Sequence, residues 1–199
     1  MNGLAAVLIA YLIGSIPFGY LLVKLAAGKD VRVEGSGNIG ATNVLRTTGK
    51  TVAVATLLLD IAKGYAAVWL TGVLTSDNPG WTSLAAIVVM AGHAYPIFLK
   101  FEGGKAMATF IGAFFYVTPV PLISVLVVFV IAVAVTRHIS AGSILAAATF
   151  PLAVWLIDHP SPGVVANSAI AGALIVYRHK ANLERLRSGT EYEFRWRTR

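Results

Sequence analysis

The chain has no cysteine, which excludes disulfides, iron–sulfur clusters, thiolate zinc sites and any thioester intermediate held on the protein. Charge is also scarce. Only 13% of residues are charged and 57% are apolar, whereas a soluble domain has about 25% and about 45–50%. Mean hydropathy is +0.75, and no polar stretch is long enough to form a separate soluble domain. The 199 residues therefore read as one integral membrane domain, 1–199, ending in a polar tail over 178–199. The net charge of +7 would suggest nucleic acid in a soluble protein. In a membrane chain, surplus Lys and Arg first report orientation, and no nucleic-acid partner is expected.

Apolar runs cover 4–27, 51–74, 81–101, 106–117, 120–136, 141–157 and 163–177. The first is too long for a signal-peptide core and has no basic stretch before it, so it is expected to stay as a span. The fourth is short for about 30 Å of hydrocarbon and is closed by Pro119 and Pro121. Basic residues alternate strictly between connections. Lys29, Arg32, Arg46 and Lys50 lie in the first, Lys100 and Lys105 around the third, Arg137 in the fifth, and seven more in the tail; the second, fourth and sixth have none. This predicts an all-α, polytopic protein with seven transmembrane helices, the N-terminus outside and the C-terminus cytoplasmic. Every glycine-rich loop then falls on the cytoplasmic face, which is the expected working face.

The first connection reads Glu34-Gly35-Ser36-Gly37-Asn38-Ile39-Gly40-Ala41-Thr42-Asn43-Val44-Leu45-Arg46. It fits G-x-G-x-x-G, with Asp60 twenty residues on, but a dinucleotide fingerprint needs a βαβ unit and these flanks are spans. Its glycines allow close backbone approach, and amides leading into a short helix predict an anion nest. Ser36, Asn38, Thr42 and Asn43 add neutral donors, and Arg46 a planar fork suited to phosphate. The third connection carries Gly103-Gly104-Lys105, again amides plus a point charge. It lacks the earlier glycine of a Walker loop, so ATP hydrolysis has no support.

Asp60 and Lys63 sit three apart within the second span and are expected to pair structurally, because each alone would cost about 2.5–3.5 kcal/mol at a helix centre. His93 is expected to be packed, since no carboxylate or second histidine stands at metal spacing. Arg137 with Ser140 and Ser143 offers a further cation and hydroxyls, and the tail places His179 and Asn182 on one helical face. Together these donors, beside apolar helices, suit an amphiphile with a phosphate head and an acyl chain.

Gly14-Ser15-Ile16-Pro17-Phe18-Gly19, Ser36 through Asn43 with Arg46, Asp60 with Lys63-Gly64, Gly92-His93 through Lys105, Arg137 with Ser140 and Ser143, and His179, Asn182 and Gly189-Thr190-Glu191 occur in order. In this the chain resembles the bacterial acyl-phosphate:glycerol-3-phosphate acyltransferases, over nearly its whole length. Ala106 departs from the family's pattern, which usually has another glycine there. The resemblance implies an enzyme of the bacterial cytoplasmic membrane that transfers an acyl group from acyl phosphate to the 1-hydroxyl of sn-glycerol 3-phosphate, giving lysophosphatidate and phosphate, with no metal, cofactor or thioester donor. The H-x-x-x-x-D pair of acyl-CoA-dependent glycerolipid acyltransferases follows none of the four histidines.

Mapped onto this chain, the expected catalytic residues are His179, Asn182 and Ser143. Ser36, Gly37, Asn38, Thr42, Asn43, Arg46, Gly103, Gly104, Lys105, Arg137 and Ser140 are expected to hold phosphate, and Asp60, Lys63 and Glu191 to be structural. Acyl phosphate, glycerol 3-phosphate and membrane lipid are the expected partners. The competing reading, an anion or phosphometabolite transporter, calls for inverted repeats and polar residues through to the outer face, and the sequence shows neither.

Overall fold

A computed structural model describes residues 2–194; Arg195, Arg197 and Arg199 of the orientation argument lie outside the described residues. Among those described, ten α-helices and two short 3₁₀ turns form the fold, with no strand. The chain divides into two compact units, 1–117 and 118–199.

The first unit holds α1 (Gly3–Gly14), α2 (Phe18–Ala27), α3 (Ala41–Thr47), α4 (Lys50–Thr75), α5 (Pro79–Ala94) and α6 (Met107–Val117). The expected first span is broken at residues 15–17, because Pro17 has no N–H and disfavours helical backbone at Ile16. In hydrocarbon the groups freed by such a break need partners. The Ile16 carbonyl accepts the Phe18 N–H at 3.2 Å, and Lys63 Nζ reaches across from α4 to the same oxygen at 2.8 Å. The expected third span likewise leaves helix geometry after Ala94. Pro96 forces an extended backbone there, and the 3₁₀ turn Ile97–Leu99 follows.

Helices of this unit pack through small residues, as expected where lipid removes the hydrophobic drive between them. Gly64 of α4 faces the Thr109 carbonyl of α6, and Gly112 of α6 faces the Ile61 carbonyl of α4. Gly14 and Gly92 make the same exchange between α1 and α5, against the carbonyls of Val89 and Tyr11.

The second unit holds α7 (Pro119–Thr136), α8 (Ile139–Ile157), α9 (Pro162–Arg178) and α10 (Lys180–Arg187). α7 turns Val120, Ile123, Val127, Val130, Ile131 and Val135 outward, an apolar surface that only lipid covers without penalty. Among the described residues, five segments are long and apolar enough to cross a membrane: Gly3–Ala27, Lys50–Thr75, Pro79–Leu99, Pro119–Thr136 and Ile139–Ile157. The expected fourth and seventh spans are shorter, α6 with 11 residues and α9 with 17.

The α4–α6 seam gives a direct test. Gly112→Ala places a methyl group against the Ile61 backbone and is expected to lower stability by about 1–3 kcal/mol, read as a fall in apparent Tm in detergent. Gly163→Ala, which meets nothing within 4 Å, should leave Tm unchanged or slightly higher.

Candidate functional site

In the first unit the loop between α2 and α3 is organised from beneath by one side chain. Asn43, 2% exposed, accepts the Ser36 N–H on Oδ1 at 2.8 Å, and its Nδ2 faces the carbonyls of Val31, Glu34 and Asn38 at 3.3, 3.0 and 2.9 Å. Gly35 (φ 60°) and Gly37 (φ 70°) adopt the left-handed turns this wrapping requires. The amides of Gly37 and Gly40 are also used internally, on the Glu34 carbonyl and Asn38 Oδ1.

This corrects one expectation. Asn43 is a brace, its amide engaged by the loop it supports, because no neighbouring strand pairs this backbone. What faces solvent is the exposed Ser36 and Arg46 and the half-buried Asn38 and Thr42.

Beneath the loop, Val23, Val31, Ile39, Val44, Ala53 and Leu99 form an apolar cluster. Leu99 belongs to the α5–α6 connection, four residues before Gly103, so this cluster ties that connection to the first loop. Arg32 adds a surface tie: it pairs with Asp30 at 2.7 Å, lies 3.9 Å from Glu102 and sits over the Tyr20 ring. Hydrogen bonding to Arg32 holds the Asp30 carboxyl below its ordinary range.

Gly104 is buried and Lys105 half-buried, and the Gly104 N–H donates to the His93 carbonyl at 3.0 Å. Ala106, where the family usually has glycine, adopts φ 61° and is 1% exposed, a left-handed conformation that glycine takes without strain. Deeper in, Lys63 Nζ lies 2.8 Å from Asp60 Oδ1, and both side chains are buried.

The second unit gathers its polar residues around Glu191. Gly189 (φ 69°) turns the chain after α10, and the carboxylate returns to accept from Asn182 Nδ2 at 2.7 Å, Ser140 Oγ at 2.9 Å and Arg185 Nε at 2.7 Å. Burial opposes ionisation of Glu191, but the hydrogen bonds from Asn182, Ser140 and Arg185 outweigh it and hold the carboxyl below its ordinary value. His179 stands at the α9–α10 junction, 4% exposed, with Nδ1 2.8 Å from the Ile175 carbonyl. A carbonyl only accepts, so Nδ1 carries a proton and donates to it. Ser143 donates to the Ile139 carbonyl at 3.0 Å, which turns the lone pairs of its oxygen to other partners. Arg137, exposed, ends α7 with φ 61°, and its carbonyl accepts the Phe194 N–H.

The family model described as glycerol-3-phosphate acyltransferase matches residues 4–189. The chain belongs to this family. It is 44% identical over 195 residues to the glycerol-3-phosphate acyltransferase of Geobacter sulfurreducens, covering 98% of this chain and 99% of that one. The Trichlorobacter lovleyi protein of the same name is 45% identical over 188 residues, 94% of each. Among solved structures it is similar to PlsY (YgiH), an integral membrane glycerol 3-phosphate acyltransferase. The glycerol 3-phosphate form gives TM-score 0.91 and 35% identity over 98% of this chain and 96% of that one. The lysophosphatidic acid form gives TM-score 0.89 and 34% identity, with the same coverage.

Within the first unit the fold ties the loop bearing Ser36, Gly37 and Asn38 to the α5–α6 connection through Leu99; within the second it brings Ser140 and Asn182 together around the Glu191 carboxylate. Sequence reasoning missed the Arg32–Glu102 tie, and it missed that Asn182 and Ser140 share Glu191. Neither has a local signature, because the partners are 70 and 51 residues from Arg32 and Ser140 respectively.

A folded-state pKa below the unfolded one stabilises fully above the unfolded value, and that stability is lost as pH falls through the folded one. Acidification below the ordinary glutamate range is therefore expected to lower Tm progressively. Glu191→Gln should start from a lower Tm at neutral pH and show a flatter acid limb; parallel curves for the two proteins would contradict the assignment.

Proposed function

We propose that this membrane-bound protein transfers an acyl group from acyl phosphate to the 1-hydroxyl of sn-glycerol 3-phosphate. The oxygen of that hydroxyl bonds to the acyl carbon, the bond from that carbon to the phosphate oxygen breaks, and the products are lysophosphatidate and inorganic phosphate. The observation that carries the reading is that Leu99, from the α5–α6 connection, packs in the apolar cluster under the first loop, which ties the stretch bearing Ser36, Asn38 and Arg46 to the stretch bearing Lys105. Side-chain cations and hydroxyls, with the amides at the start of α3, are the phosphate contacts. Gly37, Gly103 and Gly104 give the anion room to approach, and Thr42 stands at the start of α3.

In the second unit Arg137 supplies a further cation, and Ser140 and Asn182 are held by Glu191. When neutral, His179 with its proton on Nδ1 offers Nε2 as an acceptor to a donating hydroxyl, and the oxygen of Ser143 does the same. We assign His179, Asn182 and Ser143 to orienting the attacking hydroxyl. A mixed anhydride already has a good leaving group, so orientation and charge stabilisation supply most of what the reaction needs, and the departing phosphate takes the hydroxyl proton. Family membership supports glycerol 3-phosphate as acceptor, and so do the two related structures, a glycerol 3-phosphate form and a lysophosphatidic acid form. The missing H-x-x-x-x-D pair supports acyl phosphate over acyl-CoA as donor.

The chain acts as one membrane domain, 1–199, of the bacterial cytoplasmic membrane, with seven crossing segments, the N-terminus outside, and the working face and the 178–199 tail in the cytoplasm. The strict alternation of Lys and Arg between connections supports this topology.

Loss of a charge-assisted hydrogen bond is worth about 1.5–3 kcal/mol, so Lys105→Ala is expected to raise KM for glycerol 3-phosphate about 10- to 100-fold with purified protein and palmitoyl phosphate. An unchanged KM in folded protein would remove Lys105 from the phosphate site.

A further inference from the structure

The Gly103-Gly104-Lys105 turn rests on His93, a residue the reaction scheme leaves unused. The Gly104 N–H donates to the His93 carbonyl at 3.0 Å. A Cβ on Gly104 would overlap His93 Nε2, and one on Gly103 would overlap the His93 carbonyl oxygen. Backbone and ring of one residue thus form the floor under both glycines. The other ring nitrogen, Nδ1, lies 3.6 Å from Asp60 Oδ1. Asp60 is fixed by Lys63 at 2.8 Å, and Lys63 by the Ile16 carbonyl at 2.8 Å. The imidazole is a rigid spacer between a buried carboxylate and the turn that carries Lys105. A flat ring allows the turn to sit closer than any longer side chain would, provided position 104 has no Cβ.

We infer that His93, oriented by the Asp60–Lys63 pair, is a positioning residue for glycerol 3-phosphate binding: it sets the height of the Gly103-Gly104-Lys105 turn and so the reach of the Lys105 ammonium. This inference rests on the assignment of Lys105 to the phosphate of glycerol 3-phosphate. It gives the buried ion pair a role in substrate affinity as well as in folding. It also explains why position 104 is glycine although its backbone is not in the left-handed region.

The test is a mutant cycle read by two-substrate kinetics on purified, monodisperse protein. His93→Ala is expected to raise KM for glycerol 3-phosphate about tenfold and to move KM for palmitoyl phosphate less than about twofold, a split that loss of folded protein alone does not produce. Gly104→Ala should lower kcat/KM for glycerol 3-phosphate about 30-fold in the parent, where the ring blocks the methyl group. In the His93→Ala background, where the space is open, it should lower it less than about threefold. If His93→Ala does not fold, His93→Gln takes its place, because a flexible side chain can yield to the methyl group where the ring cannot.

Lys105→Ala, run alongside, separates the two ideas. If it raises KM while His93→Ala does not, or if the His93 and Gly104 effects multiply independently, the positioning role is overturned and the Lys105 assignment stands. If Lys105→Ala leaves KM unchanged, the assignment fails and the inference falls with it.

Discussion

A buried lysine caps a broken helix. Pro17 interrupts the first apolar segment, and the carbonyl of Ile16, which accepts the Phe18 N–H at 3.2 Å, keeps a second lone pair turned to an apolar medium where a further donor is favourable. Lys63 supplies the donor at 2.8 Å, which places an ammonium inside the membrane-spanning part of the fold. That ammonium requires Asp60, one helical turn away on the same face of α4. Asp60 in turn faces His93, on which the Gly-Gly-Lys turn is seated. The region of Pro17 is thus linked through three side chains to a loop of the candidate site, by the hydrogen bond at Ile16, the Lys63–Asp60 pair at 2.8 Å and the 3.6 Å approach of His93 to Asp60.

The two loops of the first unit hold their shape by a different means. Neither has a strand or long helix to pair its backbone, so amides are satisfied locally: Ser36 and Gly40 by asparagine side chains, Gly37 and Gly104 by nearby carbonyls. A loop bonded in this way is pre-organised, and the side chains it presents have little freedom to reorder. Glu191 performs the equivalent task in the second unit, one carboxylate ordering Ser140 and Asn182 together.

The membrane class and helical content are legible in composition alone, because 13% charge leaves no other medium for 57% apolar residues. The pairing of Asp60 with Lys63 is legible too, from spacing and the penalty on an isolated charge. The break at Pro17 and the early end of α5 at Ala94 were hidden, since hydropathy continues through both and only the backbone chemistry of proline marks them. Asn43 looked like one polar donor among several; its role as a brace depends on Gly35 and Gly37 folding the loop back over it. His93 gave no sign of its contact with Gly104, because that contact is made by tertiary packing and not by any sequence pattern.

The central claim, that the framework serves acyl transfer from acyl phosphate to glycerol 3-phosphate, is most directly tested by product analysis. Purified protein in lipid would be given glycerol 3-phosphate with palmitoyl phosphate, and in parallel with palmitoyl-CoA, and lysophosphatidate and released phosphate would be quantified. The account predicts equimolar lysophosphatidate and phosphate from palmitoyl phosphate and none from the thioester. Product from palmitoyl-CoA alone, or none from either donor with folded protein, would contradict it.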